Sequence, residues 1–308
     1  MRYAKTPMRS VLISILALAG CDRGHPSEKA VPGSATDPSQ EVTREKFYER
    51  RARHHTKLVK HGPSPQPYEN VAPPAGVEAV TYRSGELELK AWYAQPKSDR
   101  PVPALVYLHG GFAFGADDFE DARVFLDAGF AVMTPSYRGE NGNPGEFELY
   151  YGELDDVRAA INWVRARPGV DREHVYVFGH SAGGVLAAMT AFYPDTFARI
   201  TGSSGGMYGP EALEGMEPFA AGDVEEQNLR VPAPNADQFF LPHFAFIGTE
   251  DESVQRSAEL AQQISRRTPA PGRWRLLSVV TVPGDHFTSL APAAQQFLEL
   301  IRISLKSK

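Results

Sequence analysis

The chain has 308 residues, 42% hydrophobic and 23% charged, which is enough apolar material for a sizeable core in one large domain or two small ones. A formal net charge of −6 gives no basic footprint for nucleic acid. The single cysteine, Cys21, excludes an internal disulfide and a cysteine-based metal cluster, and the pattern calls for no metal and no cofactor.

Residues 1–10 carry Arg2, Lys5 and Arg9, and residues 11–19 are apolar apart from Ser14. That run is too short to span a bilayer as a helix and has the form of an export signal. It closes on Leu18-Ala19-Gly20-Cys21, which resembles the lipobox of bacterial lipoproteins. The resemblance implies a signal peptide over 1–20, removed to leave a lipidated Cys21, and a protein held in the cell envelope by its acyl chains. Asp22 resembles the signal that retains such proteins in the inner membrane. Residues 22–46 are rich in Pro, Ser, Gly, Glu and Lys without an apolar period, and read as a tether. Residues 47–60 are basic, with Arg50, Arg51, Arg53, Lys57 and Lys60. They read either as a patch for anionic headgroups or as a solvated helix leading into the domain. His54, His55 and His61 lack metal-ligand spacing on a helix. A proline-rich stretch over 63–74 then leads to a catalytic domain expected over 75–308, with 21–74 as tether and basic lead-in.

Strand patterning begins at Val77. Runs at 78–83 and 87–93 flank Ser84-Gly85 as a hairpin, and 104–108 is a short buried strand running into His109-Gly110-Gly111-Phe112. A helix is predicted over 117–127, capped by Gly129, then a strand over 130–135 and a helix over 154–167 ended by Pro168-Gly169. Val175 to Phe178 form an unbroken β-branched and aromatic run, followed by Gly179-His180-Ser181-Ala182-Gly183 and a helix over 182–192. Further strands at 244–247 and 276–282, a helix through Leu260 and Ile264, and a last helix over 293–305 complete the pattern. Alternation of strand and helix predicts a mainly parallel sheet covered on both faces, the α/β-hydrolase fold class, with a small cap over about 206–240.

Gly-x-Ser-x-Gly between a buried strand and a helix is a nucleophile elbow. It lifts the Ser181 hydroxyl above the sheet beside the first free N–H groups of the helix. A serine hydroxyl needs a base, and the base needs an orienting acid. Of the two histidines downstream, His243 precedes its strand, at the wrong edge, whereas His286 follows its strand at the correct one. The acid should lie after the 244–247 strand, where Glu250, Asp251 and Glu252 compete, with Asp285 more distant. Donors for a developing oxyanion are expected from the backbone N–H of Ala182 and from Gly111 and Phe112 in the glycine loop, which His109 braces.

His109-Gly110-Gly111, Tyr137-Arg138-Gly139, Asp155-Asp156, Gly179 to Gly184, Gly248-x-x-Asp251-x-x-Val254 and His286 together resemble α/β-hydrolases, in particular the catalytic domain of the prolyl oligopeptidase family, over about 77–305. The resemblance implies a triad of Ser181, Asp251 and His286, and its Gly-x-x-Asp-x-x-Val frame selects Asp251. Peptidases of that family usually have an aromatic residue after the nucleophile, whereas Ala182 resembles esterases of the hormone-sensitive-lipase group. Those usually have a third glycine where Phe112 stands. Fewer than eighty residues precede Val77, too few for the family's propeller. The expected function is a serine hydrolase acting through an acyl-enzyme on carboxylic esters or short peptides. An aminopeptidase or a catalytically silent binding module is the alternative. Glu211, Glu214, Glu217, Glu225 and Glu226 in the cap read as a solvated face rather than a substrate-amine site, and Met207, Tyr208, Phe219, Phe239 and Phe240 as pocket lining or cap core.

Overall fold

A computed structural model describes residues 45–267 and 274–306. The signal and lipobox readings, Cys21 included, and the tether reading as far as residue 44 lie outside the described residues. The elements in order are α1 (Phe47–Arg53), β1 (Glu78–Ser84), β2 (Leu87–Ala94), β3 (Val102–Leu108), α2 (Ala116–Asp121), α3 (Arg123–Asp127), β4 (Ala131–Pro135), α4 (Tyr151–Arg165), β5 (Val170–His180) and α5 (Ala182–Thr190). They continue with β6 (Thr201–Ser204), α6 (Val224–Asn228), β7 (His243–Gly248), α7 (Gln255–Arg267), β8 (Leu277–Val282) and α8 (Leu290–Leu305). Eight strands form one sheet in the order β1-β2-β4-β3-β5-β6-β7-β8. β2 pairs antiparallel with β1 and β4, and all the other pairs are parallel.

The central strands show why the sheet is covered on both faces. In β5, Val175 and Val177 join one buried cluster, with side chains of α4 and α5, while Tyr176 and Phe178 join the other, with α3 and α8. β3 divides in the same way, Ala104, Val106 and Leu108 against Leu105 and Tyr107. A period of two with both sets apolar is what a strand buried on both faces requires. From β3 the chain passes to β4 on one side and later to β5 on the other. The loops leaving β3 and β5 therefore diverge and open a crevice at their carboxyl ends, the place where open α/β sheets bind ligands.

Several boundaries differ from the sequence reading. The helix expected over 117–127 is two, because Ala122 donates to Phe119 three residues back and tightens the turn between α2 and α3. α8 begins three residues early, with Pro292 in its first turn, where a missing N–H costs nothing. α4 also begins three residues early, at Tyr151, after Leu149 and Tyr150 in left-handed conformation (φ 49° and 72°), a start that no capping residue announces.

The larger correction concerns the lead-in. The compact unit starts at Glu45, not at 75. Phe47 is wholly buried against Phe192 and Tyr193, with ring centroids 5.1 and 5.8 Å away. Arg51, also buried, forks onto Asp155 at 2.7 and 2.9 Å and donates to the Tyr151 carbonyl and the Tyr193 hydroxyl. Arg50 binds Glu225 at 3.0 and 3.2 Å. These two charges face the protein, not headgroups, because their carboxylate partners lie more than a hundred residues away in sequence.

The insert between β6 and β7 is packed the same way. Tyr208, Phe219 and Phe239 are core, while Phe240 stays partly exposed beside Tyr48. Its acids are not all a solvated face. Glu226 is buried on Arg230, Thr56 and His54, Glu225 holds Arg50, and Glu211 accepts from Ser257. Between α1 and β1 the chain runs without helix or strand, pinned by amides of Val59 and Lys60 on the Pro218 carbonyl, Ser64 on Gly139 and Phe147 on Gly62. No described helix is long and apolar enough to cross a membrane.

Candidate active site

The elbow lies at the crevice between β3 and β5. Ser181 sits at φ 51° and ψ −116°, a conformation that ordinary residues avoid, held by its amide on the Ser204 carbonyl at 2.9 Å. The turn closes only because its flanks lack side chains. A Cβ on Gly179 would run into the Gly183 carbonyl, and one on Gly183 into the carbonyls of Leu108 and His109.

Three loops converge on this point. The Ser181 hydroxyl lies 3.0 Å from His286 Nε2, and His286 Nδ1 lies 2.9 Å from Asp251 Oδ2. The Asp251 carboxylate is buried and the His286 ring only slightly open to solvent. A proton on Nδ1, held by Asp251, leaves the Nε2 lone pair facing the serine, the tautomer a general base needs. Of the competing acids, Glu250 is exposed and Asp285 is engaged with Thr288 and the Phe287 amide. Asp251 is the one that meets the histidine.

Two parts of this arrangement escaped the sequence reading. Ser253 donates to Asp251 Oδ1 at 2.6 Å and stands 3.0 Å from His286 Nδ1, so it can accept part of the same proton. Gly205, at φ 63°, leaves room for the ring: a Cβ there would lie 2.9 Å from His286 Cε1 and 3.0 Å from Nδ1. Ser253 sits inside the Gly-x-x-Asp-x-x-Val frame and could have been noticed there. Gly205 carries no local signal.

Two further histidines take other roles. His180, its ring centroid 4.9 Å from that of His286, donates from Nδ1 to the Ser204 carbonyl. Burial, reinforced by His286, pushes it down to about 4, so it stays neutral. His243 is enclosed by Thr201, Ser203 and Tyr208 at the start of β7, away from the elbow, and burial lowers it to about 3.

His109 follows β3, fully buried and stacked on Tyr137, with Nε2 3.1 Å from Glu140. Burial opposes its charge, but the Glu140 carboxylate and its hydrogen bond outweigh that and raise it to about 9. The imidazolium fixes the start of the glycine loop. Arg138 ties the next loop down, donating three hydrogen bonds to Asp156 at 2.8–3.0 Å.

The three backbone amides expected as oxyanion donors stand in different surroundings. Ala182 is the first residue of α5, where an N–H has no acceptor within the helix. Gly110 abuts the serine, for a Cβ on it would lie 3.4 Å from Ser181 Cβ, and Gly111 turns the loop at φ 65°. The Phe112 amide, however, is not open. It donates to the side-chain oxygen of Gln66 at 2.8 Å.

Comparison with known proteins agrees with the architecture. Residues 91–208 match the BD-FAE family model. A Bacillus subtilis protein named uncharacterized peptidase YtmA is 25% identical over 203 residues, 61% of this chain and 79% of that one. Among solved structures, the acylaminoacyl peptidase of Pyrococcus horikoshii superposes with a TM-score of 0.57 at 17% identity, covering 74% of this chain and 41% of the peptidase. A thermophilic esterase of Thermogutta terrifontis gives a TM-score of 0.55 at 24% identity, covering 76% and 93%. The chain has the α/β-hydrolase fold. Of these three proteins, two are named as peptidases and one as an esterase.

Proposed function

We propose that the protein is a serine hydrolase that works through an acyl-enzyme on carboxylic esters or short peptides. The observation that carries this is the relay from Ser181 Oγ to His286 Nε2 at 3.0 Å and from Nδ1 to Asp251 at 2.9 Å, on an elbow that strains the serine. In the first step Ser181 Oγ bonds to the substrate carbonyl carbon while its proton passes to Nε2, and Asp251 stabilises the imidazolium. The carbonyl oxygen, now anionic, takes backbone N–H bonds from Ala182 and the 110–112 loop. The imidazolium then gives its proton to the leaving alcohol or amine. Water, deprotonated by the same histidine, releases the acid. A fluorophosphonate probe should label the wild type and not Ser181→Ala; equal labelling of both would overturn this reading.

Ester and amide substrates separate in a side-by-side assay of p-nitrophenyl acetate and aminoacyl-anilides. Ala182 after the nucleophile supports the ester reading, and the similarity to proteins named as peptidases supports the other. A folded protein silent on both panels would instead be a binding module. For location, the Leu18-Ala19-Gly20-Cys21 sequence supports a lipid anchor in a bacterial envelope. Cys21→Ala should then move the protein to the soluble fraction, and unchanged membrane association would reject the anchor.

A further inference from the structure

The stretch from Pro63 to Tyr68 lines two clefts. One, of about 270 Å³, is lined by Pro63, Pro65, Phe147 and Met216. The other, of about 450 Å³, is lined by Gln66, Tyr68, Phe114 and Gly110, the residue that abuts Ser181. Ser64 anchors this strap to the Phe112 carbonyl through its hydroxyl, and Gln66 reaches on to the Phe112 amide. The carboxamide lies close against the loop, where a Cβ on Gly111 would meet its oxygen at 2.7 Å. Gln66 is itself exposed, held between Pro65 and Pro67. An amide carbonyl oxygen thus rests on one of the N–H groups that the hydrolase reading assigns to a substrate's carbonyl oxygen.

We propose that Gln66 is an intramolecular competitor for the oxyanion donor: its side-chain carbonyl takes the place of the substrate's on Phe112 and must leave before an ester or peptide carbonyl can be activated. This rests on the serine-hydrolase reading. A site that is open only part of the time binds substrate with an apparent affinity reduced by the open fraction, while saturating substrate abolishes the difference. Removing the competitor should therefore lower KM and leave kcat nearly unchanged. A brace that merely held the loop in shape would do the opposite and support kcat.

The test uses the whole protein with p-nitrophenyl acetate, comparing wild type, Gln66→Ala and Gln66→Glu at pH 8. Gln66→Ala should raise kcat/KM about 3- to 10-fold, the range of one neutral hydrogen bond, through KM, with kcat within about twofold. Gln66→Glu, whose carboxylate bonds an N–H more strongly than an amide does, should lower kcat/KM below wild type. The affinity for a phenylboronic acid, which puts a tetrahedral oxygen on the same donors, should follow the same order, its inhibition constant being lowest in Gln66→Ala. Any other order, or a fall in kcat for Gln66→Ala, overturns the proposal. If the wild type shows turnover and Ser181-dependent probe labelling while Gln66→Ala is unchanged, the competitor alone fails. If the wild type shows neither, the hydrolase reading fails and takes the competitor with it.

Discussion

Gly205→Ala adds one carbon at the back of the proposed base. The position has φ 63°, where an L side chain costs about 1–2 kcal/mol. The new Cβ would stand 2.9 Å from His286 Cε1, 3.0 Å from Nδ1 and 3.3 Å from Asp251 Oδ2. Carbon contacts settle near 3.5–4.0 Å, so either the ring or the β6 end must move by roughly half an ångström or more. The β6 end is fixed by the Gly205 amide on the Phe246 carbonyl and the Ser181 amide on Ser204. The ring, held by hydrogen bonds to side chains alone, is the part that yields. A displacement near 1 Å in a reacting group costs about 10²-fold in rate. The expected outcome is a 10- to 100-fold fall in kcat/KM for p-nitrophenyl acetate. The melting temperature should drop by about 2–8 °C, the shift that 1–2 kcal/mol gives in a domain of this size. Steady-state kinetics and calorimetry on the purified variant would read both. A folded variant with kcat/KM within threefold of wild type would refute the claim that His286 acts from the position it occupies here.

Asp251→Asn should lower kcat by about 10²–10⁴-fold, by favouring the wrong histidine tautomer, while Glu250→Gln stays within twofold. A large loss in Glu250→Gln would reassign the acid. Phe47→Ala should cost about 3–5 kcal/mol in urea denaturation, since the ring is fully buried; a change under 0.5 kcal/mol would return this segment to the status of a solvated lead-in. His109 is raised in the folded state to about 9 from an ordinary 6.5, so the native protein binds more protons between those values. Its contribution to stability is complete below about pH 6.5 and is lost as pH rises through about 9. The double variant His109→Gln/Glu140→Gln should lack that component when unfolding free energies are compared from pH 6 to pH 10. His180 and His243 act in the other direction, because the unfolded chain takes up protons that the fold refuses. Their cost should grow as pH falls from about 6.5 towards 4, and His243→Gln should flatten part of that acid limb.

Much of the fold was legible because its signals are local. The Val175 to Phe178 run, two glycines around a serine and small residues after it can be satisfied only by a buried strand, a sharp turn and a helix. The order of serine, acid and histidine follows from where each falls relative to its strand, so Ser181 and His286 could be paired across 105 residues without coordinates. Helix ends were less legible. The start of α4 depends on two non-glycine residues in left-handed conformation, which propensity disfavours and only packing enforces.

What the sequence by itself determined was the chemistry along each strand end: a strained serine, a histidine and a choice of carboxylates on loops at one edge of a parallel sheet. The tertiary structure decided which groups meet. It chose Asp251 over Glu250, brought Ser253 and the open face of Gly205 against His286, and laid Gln66 on the Phe112 amide. It also drew Phe47 and Arg51 into the fold, where composition suggested a headgroup patch or a solvated lead-in helix. The physical reason is the same in each case. A period or a motif records what a residue needs from its near neighbours in the chain, whereas burial, ion pairing and competition for a backbone amide depend on partners fixed only when distant segments pack.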